Sequence, residues 1–122
     1  MHWGGGTPNF FAIEQLNELI TQFRSHFDFD LTGDHSIELD PRRADSAYVA
    51  GLRELGFNRV SIGVQDFDSD VQRAVHRVPS EAQTPGVIDA ARATGVRSVN
   101  VALTYGLPNQ SPLSFQATLF SC

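Results

Sequence analysis

The sequence predicts an α/β fold of about four strand–helix units. Two observations predict it: strand-like and helix-like segments alternate along the 122 residues, and the alternation repeats roughly every 30 residues. Such alternation produces parallel strands joined by helical crossovers. The pattern alone fits either a (βα) barrel or a doubly wound open sheet. A complete barrel takes about 250 residues, so we expect residues 1–122 to be a single segment of a larger domain.

The first half of the chain contains two predicted strands and a long helix. The first strand ends at Trp3, where Gly4–Pro8 forms a glycine-rich loop. The second strand alternates apolar and polar residues over 36–40, and Pro41 ends it. A helix over 13–26 lies between them, because apolar residues recur there at intervals of three and four. These residues are Ile13, Leu16, Ile20, Phe23 and Phe27.

A helix, a strand and a short helix are predicted next. Apolar spacing indicates a helix over 48–55, and Gly56 stands where a helix often ends. Residues 59–64 form the third strand, with Gln65 just past its end. Asp68 is a good N-cap for a short helix that runs through Val75.

The last quarter of the chain adds one more strand between two helices. A helix over 80–94 stops at Gly95, and residues 98–103 form the fourth strand. Gly106–Pro108 breaks that strand, and Ser111 opens a final helix.

Composition excludes several classes of function. The net charge is −5, from 14 acidic and 9 basic residues, and every basic residue is arginine. Without lysine the chain offers neither a Schiff base nor a P-loop lysine. The acidic balance argues against a nucleic-acid partner. We find neither a membrane-length apolar run nor a signal-like leader, and therefore expect a cytoplasmic protein without a membrane partner.

The sequence offers little for a metal ion. Cys122 is the single cysteine, which excludes a disulfide framework and any site that needs two thiolates from this chain. The four histidines show no i, i+4 pair on a helix. We therefore predict no metal ligand in this chain.

Chemically active residues concentrate where the predicted strands end. The glycine loop follows the first strand, Glu38 and Gln65 close the second and third, and Ala102 lies near the end of the fourth. Parallel α/β folds bind ligands at this edge of the sheet. We expect the loop, Glu38 and Gln65 to converge on one mouth. The loop alone is equally consistent with a tight connection and with a backbone surface for a ligand.

Five ordered motifs resemble the oxygen-independent coproporphyrinogen III oxidases, or coproporphyrinogen dehydrogenases. These are radical S-adenosylmethionine (SAM) enzymes of haem (porphyrin) biosynthesis. The resemblance covers about residues 1–119. The motifs are HWGGGTP at 2–8, SIELDP at 36–41, GFNR at 56–59, GVQDF at 63–67 and YGLPNQ at 105–110.

The resemblance implies a partial (βα) TIM-type radical SAM barrel and an oxidoreductase. In that family a 4Fe-4S iron–sulfur cluster cleaves SAM, and the resulting radical takes a hydrogen from a propionate of coproporphyrinogen III. Oxidative decarboxylation then leads to protoporphyrinogen IX. The implied partners are the porphyrinogen substrate and an electron donor, and the intact enzyme is expected to be monomeric.

The resemblance also assigns roles to six residues. Two SAM molecules are associated with the site in the family. By position, Gly5 and Glu38 would hold the first molecule. The second would be contacted by Gly6, Thr7, Gln65 and Arg77. The resemblance assigns no catalytic residue to this chain.

Two departures from the family pattern affect what the chain is expected to do. The three-cysteine cluster motif would precede Met1, and both it and the C-terminal region are absent from this sequence. Ala102 stands where the family usually has an aspartate that binds the second SAM. We therefore expect the isolated 122-residue chain to be an inactive fragment of the enzyme.

Two alternatives to the enzyme also fit the sequence. A related haem-binding chaperone branch has the same barrel, but it tends to carry serine where this chain has Asp66. The other reading is a non-functional truncated remnant, which Ala102 and the unusual ending Phe120–Cys122 suggest.

Overall fold

The described residues form one sheet of four parallel strands. The computed structural model describes residues 1–76 and 83–121. The strands are β1 His2–Trp3, β2 Ser36–Leu39, β3 Arg59–Gln65 and β4 Ser98–Leu103. They pair in chain order, β1-β2-β3-β4, and every pair is parallel. The predicted strands are confirmed, with two differences at their ends. β2 ends at Leu39, one residue before the predicted end, and Gln65 is the last residue of β3 and not the residue beyond it.

In the described part of the chain, five α-helices connect or follow these strands. They are α1 Ile13–His26, α2 Ser46–Glu54, α3 Ser69–Ala74, α4 Gln83–Ala93 and α5 Pro112–Phe120. Within the described part of the chain, no helix combines the length and the apolar character needed to cross a membrane.

Capping side chains explain where α2, α3 and α5 begin. The Asp45 carboxylate accepts a hydrogen bond from the Tyr48 N–H at 2.7 Å, so α2 begins earlier than its apolar spacing predicts. The predicted N-cap Asp68 is confirmed, and Ser111, which was predicted to open the last helix, caps it. The short helix α3 ends before Val75. The start of the predicted helix 80–94 lies outside the described residues.

All the helices that contribute to the main core pack on one face of the sheet. Ile37, Val60 and Ile62 are fully buried against them. The helical side of this core consists of Leu16 and Ile20 of α1, Val49 and Leu52 of α2, and Val87 and Ala91 of α4. A doubly wound sheet would carry helices on both faces. Sequential strand order with one covered face is the arrangement of a (βα) barrel segment. The structure therefore favours the barrel over the doubly wound sheet.

The opposite face of the sheet is polar and open. Period-two alternation in each strand places Glu38, Ser61 and Asn100 side by side across three strands, in register. Glu38, Asn100 and Ala102 are exposed, whereas their sequence neighbours on the covered face are buried or half-buried. In a closed barrel this face would line the interior.

The apolar stripe of α1 is only partly used by the core. Leu16 and Ile20 are fully buried, but Phe23 and Phe27 are 44% and 63% exposed. Phe23 stacks edge-on against Trp3 at 5.8 Å. Because β1 is an edge strand of two residues, the sheet is too narrow to cover the last turns of the helix.

Candidate functional site

A cleft of about 170 Å³ opens at the carboxyl edge of the sheet, on its polar face. It brings together the glycine loop through Gly6 and Thr7, Glu38 of β2 and Gln65 of β3. Ala102 of β4 lines the same cleft. The remaining lining residues are Pro8, Leu39, Asp40, Ser61 and Gly63. The predicted convergence of the loop, Glu38 and Gln65 on one mouth is therefore found.

The glycine loop exposes its backbone to this mouth. Gly5 and Gly6 have backbone φ angles of +83° and +63°, which residues with a side chain rarely adopt. A Cβ on either residue would meet no atom within 4 Å, so the space in front of both is open. Gly5 lies outside the 170 Å³ cleft, in a neighbouring groove along β1, but its N–H points to Glu38 Oε2 at 3.4 Å.

Glu38 is the carboxylate at the centre of the site. Its side chain is 48% exposed, and Oε1 lies 3.6 Å from Nε2 of His2. The other ring nitrogen of His2, Nδ1, shares a 2.7 Å hydrogen bond with Ser36 Oγ. His2 and Ser36 therefore hold the acid from the β1 side. A second cavity of about 300 Å³ continues from Glu38 and Ser61 along the polar face.

A buried asparagine fixes the loop to the strand that carries Glu38. The Asn9 side chain donates to the Asp40 carbonyl at 2.8 Å and accepts from the Asp40 N–H at 2.9 Å. The Asp40 carboxylate is held in turn by Arg42, with Nη2 at 2.6 Å. These contacts keep the loop and the end of β2 in one rigid unit.

Gln65 reaches the cleft from a strained backbone position. Its φ is +73°, at a register shift between β3 and β4 that begins at Gly63. Oε1 accepts a hydrogen bond from the Thr104 hydroxyl at 2.8 Å. Because that oxygen is engaged, the NH₂ group of the amide is the part left to meet a ligand.

Sequence reasoning missed several residues of this region. His2, Ser61 and Asn9 were not predicted, although alternation in β2 and β3 marks Ser61 as a neighbour of Glu38 on the same face. Asn9 gives no periodic signal, since it acts from a short 3₁₀ turn. The predicted ligand Arg77 lies outside the described residues.

The family model for the radical SAM superfamily matches residues 1–122. The chain belongs to the radical SAM superfamily. This superfamily uses SAM together with a 4Fe-4S cluster.

Radical SAM relatives of known name are similar over almost the whole chain. The oxygen-independent coproporphyrinogen III oxidase of Pseudomonas aeruginosa is 51% identical over 121 residues, which are 98% of this chain and 26% of that protein. The protein of the same name from Synechocystis is 45% identical, again over 98% of this chain and 26% of its own length. The chain thus spans about a quarter of these relatives. The resemblance predicted from five motifs is confirmed.

A solved radical SAM structure has the same fold. Coproporphyrinogen III oxidase (HemN) from Escherichia coli matches with a TM-score of 0.92 and 43% identity, over 98% of this chain and 28% of that one. The predicted class, a partial α/β barrel of the radical SAM type, is confirmed.

The two radical SAM cofactors fit this chain differently. SAM carries ammonium, carboxylate and hydroxyl groups, and the cleft offers a carboxylate, an amide NH₂ and free backbone amides for them. A 4Fe-4S cluster needs three or four thiolates. The chain contains one cysteine, and residues 1–76 and 83–121 include no group of three or more potential metal ligands. The residues present therefore fit SAM and do not fit the cluster.

Proposed function

We propose that this chain forms one wall of the SAM site in a coproporphyrinogen III oxidase of the oxygen-independent type. The convergence of the glycine loop, Glu38 and Gln65 in one cleft is the observation that supports it. The identity of 51% to a relative of that name supports the porphyrinogen as the substrate of the intact protein. The intact protein would be a monomeric cytoplasmic enzyme that also needs an electron donor.

We propose that the site holds two SAM molecules, one on each side of the Glu38 side chain. The geometry that supports this is the division of the loop. Gly5 faces a groove along β1 and points its N–H to Glu38, whereas Gly6 and Thr7 line the cleft that leads to Gln65. Gly5 and Glu38 would bind the first molecule. Gly6, Thr7, Gln65 and Arg77 would bind the second.

The residues of this chain bind and orient the proposed ligands. Glu38 accepts hydrogen bonds from an ammonium group, and charge-assisted bonds of this kind are stronger than neutral ones. Gln65 donates its N–H groups to an acceptor, and the open backbone of Gly6 allows close approach. The cleft of about 170 Å³ is smaller than typical ligand pockets of about 300–1,000 Å³. We infer that other parts of the intact protein supply the opposite wall and the thiolates that hold the cluster.

Titration of SAM into the intact protein by isothermal titration calorimetry tests this proposal. We expect saturable binding that Glu38→Gln weakens about ten-fold, because the substitution removes the negative charge and keeps the shape. Glu18→Gln is the matched control, since Glu18 is an exposed residue of α1 away from the cleft. Equal affinities for the wild type and Glu38→Gln would contradict the site.

The substrate part of the proposal needs a separate assay. The intact protein with its cluster, SAM and a reductant should release carbon dioxide from coproporphyrinogen III. Haem titration distinguishes the chaperone alternative, because a stable haem spectrum without decarboxylation would favour that function instead.

A further inference from the structure

Asp66 is a fully buried acid that no predicted role explains. It follows Gln65 directly and is 0% exposed. Its Oδ1 accepts hydrogen bonds from the Asp68 N–H at 2.9 Å and from the Thr118 hydroxyl. Its Oδ2 accepts one from the Gln110 side chain. A buried charge is costly unless it is well hydrogen-bonded, and here three elements supply the donors.

Gln110 connects this carboxylate to the loop after β4. Its Nε2 donates to Asp66 and to the Thr104 carbonyl, the latter at 3.0 Å. Its Oε1 accepts from the N–H groups of Gly106 and Leu107 at 2.6 and 3.2 Å. Both ends of the amide are thus used, so only one orientation satisfies all its partners. The loop over 104–110 is folded around this single side chain.

Thr104 carries the connection to the cleft. Its N–H donates to the Gln65 carbonyl and its hydroxyl to Gln65 Oε1, both at 2.8 Å. In the structure the oxygen end of the Gln65 amide faces this hydroxyl. The NH₂ end is consequently the one available to the cleft.

We propose that Asp66 is a positioning residue that acts through Gln110 and Thr104 to present the Gln65 NH₂ group to SAM. The inference deepens the proposed function and rests on it. The cleft then recognises a hydrogen-bond acceptor of the ligand, such as its carboxylate, at this point. Gln65 itself needs such support because its backbone holds an unfavourable positive φ.

A purely structural role for the network predicts a different result. If Asp66 and Thr104 only fasten the loop and α5 to the sheet, their loss weakens binding regardless of what stands at position 65. If they act through Gln65, their loss has no effect once the Gln65 amide is gone. A double-mutant cycle separates the two roles.

The experiment measures SAM affinity by calorimetry in Thr104→Val, Gln65→Ala and the double variant. We expect Thr104→Val to weaken binding about five- to ten-fold in the presence of Gln65, and to have no further effect in the Gln65→Ala background. Thr104→Ser keeps the hydroxyl and should bind like the wild type. Thr94→Val is the matched control, because the Thr94 hydroxyl donates to the Ala91 carbonyl at the end of α4.

Asp66→Asn extends the cycle to the start of the network and should show the same dependence on Gln65. Thermal unfolding identifies variants that fail to fold. If Thr104→Val fails to fold, Thr104→Ala replaces it. An equal loss with and without Gln65 overturns the inference, as does unchanged binding in Gln65→Ala. An intact wild-type protein that binds no SAM refutes the proposed function, and this inference with it.

Discussion

Gly4 lies directly against the carboxyl group of Glu38. A Cβ on Gly4 would stand 2.9 Å from Glu38 Cδ and 2.7 Å from His2 Nε2. The three consecutive glycines thus serve two purposes. Gly5 and Gly6 provide left-handed backbone with open space in front of it, whereas Gly4 leaves room for the acid beneath the loop. Glu38 can accept from the Gly5 N–H only because nothing projects from Gly4.

We predict that Gly4→Ala weakens SAM binding about ten-fold or more, by displacing the Glu38 carboxylate from its hydrogen-bonded position. Stability should change by less than about 1 kcal/mol, because the atoms that must move are the ends of two flexible, exposed side chains. Calorimetry with SAM and urea unfolding measure the two effects.

Gly86→Ala is the control for this substitution. Gly86 lies on the exposed side of α4, and a Cβ there would meet no atom within 4 Å. We expect a gain of about 0.5–1 kcal/mol in stability from the better helix propensity of alanine, with SAM affinity unchanged. If Gly4→Ala bound SAM as tightly as Gly86→Ala, Glu38 would not be a ligand in this position.

A second prediction concerns Ala102, where the resemblance to the coproporphyrinogen III oxidases leads us to expect an aspartate. Ala102 is exposed, lines the cleft and pairs across strands with Gly63, whose lack of a side chain leaves space beside it. Ala102→Asp therefore adds an acceptor next to the proposed second ligand. We expect SAM to bind there about ten-fold more tightly.

Ala102→Asn distinguishes charge from shape in this test, because asparagine has the same size without the charge. We expect it to give a smaller gain than aspartate. Calorimetric stoichiometry with the intact protein follows the second molecule directly. Weaker binding in Ala102→Asp than in the wild type would mean that the cleft holds no positive or donor group at this point.

The helices and strands could be predicted from the sequence, and so could the edge of the sheet where the site lies. Apolar periodicity predicts α1 and β4 with their observed bounds. Alternating parallel strands also place Glu38 and Gln65 at a common edge, whatever the exact register. These features follow from local patterns, which a single sequence contains.

Long-range contacts could not be predicted from such local patterns. The buried pair Asn9 and Asp40 joins residues far apart in sequence, and so does the hydrogen bond from Gln110 to Asp66. The same limit affected α1. Its stripe predicts a buried Phe23, yet this residue is 44% exposed, because burial depends on how wide the sheet is beneath the helix.

Asp66 should make the protein sensitive to acid. Burial raises the pKa of the Asp66 carboxyl, but hydrogen bonds from the Asp68 N–H, Thr118 and Gln110 outweigh it, so the pKa lies below the usual 3.8. The unfolded state therefore takes up the proton first as the pH falls. The stabilisation is complete above the unfolded pKa and is lost as the pH falls through the lower folded value.

Urea unfolding between pH 6 and pH 2.5 measures this loss. Asp66→Asn removes the titrating group, so it should be less stable than the wild type at pH 6 by about 1–3 kcal/mol, and its stability should depend less on pH. Parallel curves for the two proteins would show that Asp66 titrates alike in the folded and unfolded states.

Tyr48 should produce the opposite dependence in alkali. Its hydroxyl donates to the Phe11 carbonyl at 2.8 Å, and burial raises the pKa of Tyr48 from 10.0 to about 12. The folded state thus keeps the proton longer than the unfolded state. The stabilisation is present below pH 10 and is lost as the pH rises from about 10 towards 12. Tyr48→Phe removes both the hydrogen bond and the titration, and should lower the free energy of unfolding by about 1 kcal/mol at neutral pH.

Absorbance at the tyrosinate band, followed against pH with Tyr105→Phe as the exposed control, reports the ionisation of Tyr48 itself. A titration of Tyr48 at pH 10 in the folded protein would contradict its burial against the loop.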